Sequence, residues 1–435
     1  MLSTEYSSIL DVVNIVETGK ITKIIGNTIH AAVPRMRMGE LCYIEDDNKK
    51  LMCECVGFEQ SQVILFPLGS VKGFSTQAKV VAMRKPLELR FDHDLRGCVL
   101  NGLGEIIDDT YLDRSINTPS LSVQIDRSPP KALERKSVEQ PLITGVTAID
   151  SLLSCARGQR VGIFAPAGVG KTTLLSMIAR RSDADVIVLG LVGERGREVI
   201  DFLGHELGEE GRKRSVVVVS TSDTSSLERI KAAQTATAIA ESYRDQGLDV
   251  ILMIDSITRF ARAQRELGLS IGEPPTRNGF PPSVFTVLPQ LLERPGRTAK
   301  GSISAFYTIL IESENEIDVI GEEVKSILDG HIVLSQKLAN QNWYPAIDIL
   351  RSKSRLFQKV TNEPHRHSAN QLIEWMAKFK EIELLIRIGE YKPGSDAVAD
   401  QAIAKMPAIK KFLCQSIDEK RIAKNLMNDL KSLAP

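Results

Sequence analysis

The sequence predicts an α/β protein with a mostly parallel sheet, an N-terminal β-barrel and a C-terminal helical domain. Three observations carry that prediction. Between residues 86 and 357, near-continuous Val/Ile/Leu runs alternate with helical patterns, as strands buried on both faces require. Residues 19–85 break into short alternating runs separated by turn residues, the texture of a small barrel. From residue 358 to 435 the strand pattern stops, and apolar residues recur at three- and four-residue steps.

Composition sets the bounds. A chain of 435 residues is too long for one ordinary domain. With 55 basic and 55 acidic side chains, no overall charge draws it to nucleic acid or anionic lipid. Its six cysteines are scattered through a large chain, so buried thiols are expected rather than a disulfide framework. Cys53 and Cys55 would share one face of a strand. The start carries no basic leader, and no apolar run approaches the ~18 residues of a membrane span. A soluble, intracellular protein is expected.

Taken in order, residues 1–18 place Ile9, Leu10, Val12, Val13, Ile15 and Val16 at helix-like spacing. They read as a packed helix or as an arm for docking or self-association. Runs such as "ITKIIGNTIHAAV" and "SQVILF" supply the barrel strands. The central domain offers strands at 160–165, 185–193, 215–220, 249–255 and 302–310, with a helix over 226–246. The stretch "GEPPTRNGFPPSVFTVLP" holds five prolines, which argues against a regular helix or central strand. Leu372, Trp375, Met376, Phe379, Ile382 and Leu385 predict an amphipathic helix packed as core. His365 and His367 lack a nearby third ligand and read as solvated.

The chemistry starts at "APAGVGKTT" (165–173). Here a strand must turn into a helix through Ala167, Gly168, Val169 and Gly170. Glycines let the backbone curl so that successive N–H groups converge on phosphate oxygens, and the helix start adds partial positive charge. Lys171 would reach the β- and γ-phosphates, the Thr172 hydroxyl would ligate Mg²⁺, and Thr173 continues the site. Ala165 stands where the full pattern has glycine, a mild departure. The run "DVILMID" ends in Asp255, a carboxylate at a strand's carboxyl end, where it can hold Mg²⁺ through water. In "GLVGERGREV", Glu194 closes the intervening apolar strand and can orient the water that attacks the γ-phosphate. Arg195 and Arg197 flank it and would hold it ionised.

These motifs, with "MIDSITRFARAQRE", "GSISAFYTIL", "SILDGHIVLSQKLA" and "YPAIDILRSKSR" in unbroken order, resemble the rotary-type ATPases related to the catalytic subunit of F-type ATP synthase. Within that family the chain looks most like the ATPases of type III secretion systems. The resemblance spans about residue 19 to 415. It implies a RecA-type P-loop ATPase core, ATP and Mg²⁺, and a homohexamer. It matches Arg195 and Arg259 to active-site arginines. It also matches Arg355 to an arginine finger reaching into a neighbour's site, and Tyr344 to an aromatic residue against the adenine. The implied partners are a coiled-coil central stalk protein, a peripheral stator protein, chaperone–effector complexes and an export gate. The implied location is cytoplasmic, peripheral to the bacterial inner membrane, and the proline-rich stretch would line the ring's central pore.

"TSDTSSLER" (221–229) resembles the injectisome branch, in which hydrolysis would release chaperones and unfold and export effectors. The flagellar export ATPase is the first alternative. A hexameric RNA translocase would need a basic, aromatic barrel. Residues 19–85 offer only Tyr43, Phe58, Phe66 and Phe74 among acids, so no nucleic-acid partner is expected. A non-catalytic regulatory subunit would be expected to lack Lys171 or Glu194, and both are present.

Overall fold

The computed structural model describes residues 17–113, 121–312, 318–421 and 423–435. The proposed N-terminal arm, residues 1–18, lies almost wholly outside them. Six antiparallel strands follow: β1 (Thr18–Ile25), β2 (Thr28–Ala32), β3 (Leu41–Asp46), β4 (Lys49–Glu59), β5 (Gln62–Pro67) and β6 (Lys79–Ala82). They close as a barrel in the order β1-β2-β5-β4-β3-β6. Inward-facing Ile29, Ala31, Ile44, Val63, Leu65 and Val80 fill its interior, and Cys53 and Cys55 both point into that core. Alternation along each strand is what puts one residue set inside and the other in solvent.

The central sheet contains β7 (Val99–Asn101), β8 (Ile106–Asp108), β9 (Arg160–Ala165), β10 (Val186–Glu194), β11 (Ser215–Thr221), β12 (Asp249–Asp255), β13 (Gly296–Arg297), β14 (Ser302–Leu310), β15 (Gly330–Val333) and β16 (Lys353–Ser354). Its spatial order is β16-β15-β9-β14-β12-β10-β11-β7-β8, with β13 beside β14. Every pairing from β15 to β7 is parallel. Val186, Val188, Leu252 and Ile254 enter one core cluster, while Ile187, Leu189, Ile251 and Met253 enter another. Adjacent residues of one strand thus feed two cores, so both sheet faces are covered. That is why these strands read as continuous apolar runs.

The helices that matter for the site are α1 (Lys171–Arg181), α2 (Ser226–Asp245), α3 (Ile257–Ser270) and α4 (Pro282–Leu292). Helix α4 corrects the reading of the proline-rich stretch, since its second half is helical. Pro282 occupies the first turn, where its missing N–H has no intrahelical partner to lose. Pro289 falls near the other end, three residues before the helix stops. The chain then finishes in α5 (Glu363–Arg387), α6 (Ala397–Leu413) and α7 (Ala423–Leu433). Among the described residues no helix is long and apolar enough to cross a membrane. His365 is not solvated: it is buried, its Nε2 lies 2.7 Å from Ser151 O, and its ring meets Phe357 edge-on.

A buried ion pair joins barrel to core. Lys231 on α2 lies 2.7 Å from Glu54 on β4, and both side chains are almost inaccessible. Burial pushes the Glu54 carboxyl above its usual range, and Lys231 pulls it back. Removing one partner strands a charge in an apolar seam. Lys231→Met is therefore expected to destabilise the protein by about 3–5 kcal/mol, while Lys231→Met with Glu54→Leu recovers most of that loss. Denaturant unfolding of the wild type, both single variants and the double variant checks the cycle; additive losses would contradict it.

Candidate active site

The strand β9 ends at Ala165, the chain turns through residues 166–170, and α1 begins at Lys171. Gly168 and Gly170 have φ of +77° and +87°, a region that side-chain-bearing residues rarely adopt. A Cβ at Gly168 would meet nothing within 4 Å, so the loop borders open space there. The first N–H groups of α1 have no helical acceptor. This cradle opens into a cavity of about 490 Å³ lined by Ala167, Gly168, Gly170, Lys171, Thr172, Thr173, Glu194, Arg195, Glu206, Asp255 and Arg259 among others. Val169 is buried behind the loop.

Three parallel strands bring their carboxyl ends to this cavity. Lys171 Nζ lies 2.5 Å from Asp255 Oδ1 and 3.6 Å from Glu194 Oε1. Asp255 closes β12 and is 2% exposed; Thr308 Oγ1 of β14 donates to its Oδ1 at 2.7 Å. Glu194 closes β10 after Gly193, whose φ of +68° turns the chain there. A Cβ at Gly193 would sit 3.2 Å from the Arg259 side chain, so that glycine also makes room for the arginine. Arg259, in the first turn of α3, donates from Nη1 to Gly193 O at 2.5 Å and pairs with Glu194 Oε2 at 2.6 Å. The N-cap Ser256, whose Oγ accepts from Arg259 N at 3.3 Å, fixes where that turn begins.

The Glu194 carboxyl is pushed up to about 7. Burial is the largest cause and the Asp255 charge the second, while Lys171 and Arg259 oppose them. Its Oε1 is buried without a hydrogen-bond partner among the described residues, with Lys171 Nζ 3.6 Å away. Arg195 does not do what the sequence reading asked of it. It lines the cavity, but its side chain is 79% exposed and pairs with Glu198 at 3.5 Å rather than with Glu194. Arg259 is the residue that holds the glutamate, because a short turn from β10 aims Arg195 outward.

Tyr344 and Arg355 lie outside the cavity lining. The half-exposed Tyr344 ring nevertheless faces the loop, 3.9 Å from where a Gly170 Cβ would stand. Arg355 is exposed, with Nη2 3.5 Å from Lys325 O. Two contributors escaped the sequence reading. Glu206 lines the cavity on a π-helical turn, Phe202–Glu206, and accepts from Thr173 Oγ1 at 3.2 Å and Ser176 Oγ at 3.3 Å. The extra residue per turn there defeats helical periodicity. Thr308 was detectable in principle, as a hydroxyl near the end of an otherwise apolar strand.

Comparison with known proteins fits this geometry. Residues 145–354 match the family described as ATP synthase alpha/beta family, nucleotide-binding domain, and residues 361–432 match the T3SS EscN ATPase C-terminal domain. The type 3 secretion system ATPase of Xanthomonas euvesicatoria is 46% identical, covering 95% of this chain and 93% of the relative. The chain belongs to the type 3 secretion system ATPases. The SPI-2 type 3 secretion system ATPase of Salmonella typhimurium is also 46% identical, over 92% of this chain and 91% of its own. The flagellum-specific ATP synthase of Bacillus subtilis is 42% identical over 95% and 94%. The assembled EscN of enteropathogenic E. coli superposes on this ATPase with a TM-score of 0.88 at 43% identity, covering 96% of this chain and all of EscN. The same values hold for EscN in complex with its central stalk EscO. The α/β core, the barrel and the helical C-terminus are thus those of the family, and the protein is an ATP-hydrolysing enzyme.

A Glu194 that accepts the proton of the attacking water must be ionised, so on that role kcat/KM for ATP should rise with pH through a limb near 7. Arg259 lowers that pKa, so Arg259→Ala removes a positive neighbour and should move the limb to higher pH. A pH–rate profile of the two proteins checks the sign; a limb that moves down or stays put contradicts it.

Proposed function

We propose that this ATPase hydrolyses Mg²⁺-ATP in a homohexameric ring and uses the energy to release chaperones from effectors, unfold the effectors and feed them to an export gate. The observation that carries the reading is the convergence of Lys171 from the start of α1 with Glu194 and Asp255 from two strand ends, around the mouth of a glycine-built phosphate cradle. In this scheme the loop N–H groups and Lys171 hold the β- and γ-phosphates. Asp255, steadied by Thr308, and the Thr172 hydroxyl are the groups that would hold Mg²⁺, and the hard-oxygen donor set fits that ion. When bound, Mg²⁺ supplies charge neutralisation on the phosphate oxygens. Glu194 orients the attacking water and receives its proton, while Arg259 fixes the carboxylate's direction. Tyr344 offers a face to the base.

In this scheme Arg355 reaches a neighbour's site rather than its own, and its exposed position away from the cavity supports that role. The assembled state of EscN supports the ring, and its complex with EscO supports a coiled-coil central stalk as partner. The pore-lining segment would then be 272–281, the part of the proline-rich stretch ahead of α4. A peripheral stator and a cytoplasmic position at the inner membrane complete the reading. "TSDTSSLER", together with the match at 361–432, favours the injectisome over the flagellar role.

Turnover per subunit should rise steeply with protein concentration as rings form. Lys171→Ala and Glu194→Ala should abolish phosphate release, and Arg355→Ala should lower kcat by about 10³-fold or more. Phosphate-release assays across a dilution series check this. Concentration-independent turnover that ignores Arg355→Ala would overturn the shared-site scheme.

A further inference from the structure

Arg355 presents its guanidinium to solvent, yet its backbone is held from inside the molecule. One carbonyl does much of the holding: Asp329 O accepts from Arg355 N at 3.0 Å and from Gln159 Nε2 at 3.1 Å. The same Nε2 donates to Ser354 Oγ at 3.1 Å, and Ser354 Oγ donates onward to Ser154 O at 2.9 Å. At its other end Gln159 Oε1 accepts from Ala156 N at 2.9 Å. Gln159 is 1% exposed, and both of its amide hydrogens are used. Its orientation is fixed by chemistry, because Oε1 faces an N–H and Nε2 faces a carbonyl.

This glutamine sits one residue before β9, the strand that ends in the phosphate loop. The strand's first residue, Arg160, grips the Asp329 carboxylate through its backbone N, Nε and Nη2 at 3.0–3.2 Å. The segment that carries Arg355 is thin by comparison. β16 is two residues long and pairs with β15 at Gly330↔Ser354 and His331↔Lys353 alone. A two-residue ladder fixes direction poorly, since so few hydrogen bonds oppose the chain's entropy. The Gln159 amide supplies the missing constraint at both Ser354 and Asp329, on either side of the arginine's own N–H.

We propose that Gln159 is a positioning residue for Arg355: it aims the guanidinium toward the neighbouring subunit from the base of the phosphate-loop strand, without touching nucleotide. This rests on the reading of Arg355 as a finger acting in trans. A residue that only stabilises the fold would lower stability and affect every kinetic constant together. A residue that aims the finger lowers kcat, spares nucleotide binding, and is rescued by a neighbour whose finger is intact.

The test is subunit mixing in full-length rings. Gln159→Glu keeps the acceptor for Ala156 and sets a carboxylate oxygen against the Asp329 carbonyl. Alone it should lower kcat by about 10²-fold, the cost of a misplaced reacting group, with KM for ATP changed less than about threefold. Mixed with Lys171→Ala, which lacks a working site but keeps its finger, activity should exceed the sum of the separate proteins. At equal mixing, roughly a quarter of the heterologous interfaces would join a sound phosphate loop to a sound finger. Arg355→Ala mixed with Lys171→Ala is the reference. Recovery in both mixtures supports the proposal. Recovery with Arg355→Ala but not with Gln159→Glu overturns the role of Gln159 alone. Recovery in neither overturns the trans finger and the role of Gln159 with it. Should Gln159→Glu fail to assemble, Ser354→Ala makes a milder cut in the same clamp. It should lower kcat severalfold at unchanged KM, and wild-type turnover in that variant overturns the proposal.

Discussion

The site depends on one ammonium group between two carboxylates. Asp255 and Glu194 end neighbouring parallel strands and are both nearly buried. Two acids placed so close in a low-dielectric pocket repel unless a cation stands between them. Lys171 is that cation, 2.5 Å from one and 3.6 Å from the other. Its balance is uneven: the tighter partner stays with the lysine, while burial and the neighbouring charge raise Glu194 to about 7. The same arrangement that holds the acids together therefore sets them in unequal surroundings. One carboxylate suits a metal's water shell and the other suits a proton acceptor near neutral pH.

Strand order makes the arrangement possible. β9, β14, β12 and β10 lie side by side in parallel, so their carboxyl ends form one rim. Ligands collect at such rims because strand ends and helix starts converge there. The intervening β14 contributes Thr308, whose hydroxyl occupies Asp255 Oδ1 alongside the lysine. Arg259 enters from the helix that follows β12 and crosses to Glu194. Each functional group thus comes from a different element, and the two-sided burial of the sheet keeps them in register.

This geometry explains what the sequence could disclose. The strands at 160–165, 249–255 and 302–310 coincide with β9, β12 and β14 because a strand covered on both faces must be apolar throughout. The phosphate loop is a local motif, so its residues are adjacent in the chain. Asp255 and Glu194 were readable as the last residues of apolar runs. Which arginine meets Glu194 was not readable, because that depends on the angle of α3 against β10; adjacency in sequence favoured Arg195. Glu206 was hidden by the π turn, and α4 by its prolines, of which Pro282 sits in the tolerated first turn while Pro289 lies inside the helix and forgoes a backbone hydrogen bond. Arg355 and Tyr344 came only from family resemblance, since their surroundings are built by distant segments.

Both of those residues link the cavity to the rest of the molecule. Tyr344, which faces Gly170, has its carbonyl bonded by Gln415 N at 2.9 Å, and Gln415 Oε1 accepts from Thr147 N at 2.9 Å. Beside it, Lys410 of α6 lies over the Trp343 ring at 5.7 Å. A base resting on Tyr344 would therefore press on a segment fastened to the C-terminal helices. At the other end of the same sheet, Arg355 leaves β16 on the far side of the phosphate-loop strand. The glycine loop and the outward-facing arginine are thus tied to opposite ends of one rigid element, β9, whose length is about 20 Å. A strand hydrogen-bonded on both sides resists bending, so a shift at the phosphate loop moves its base as well. In the ring and trans-finger scheme proposed above, that would be a direct mechanical route from one subunit's cavity to the site next door.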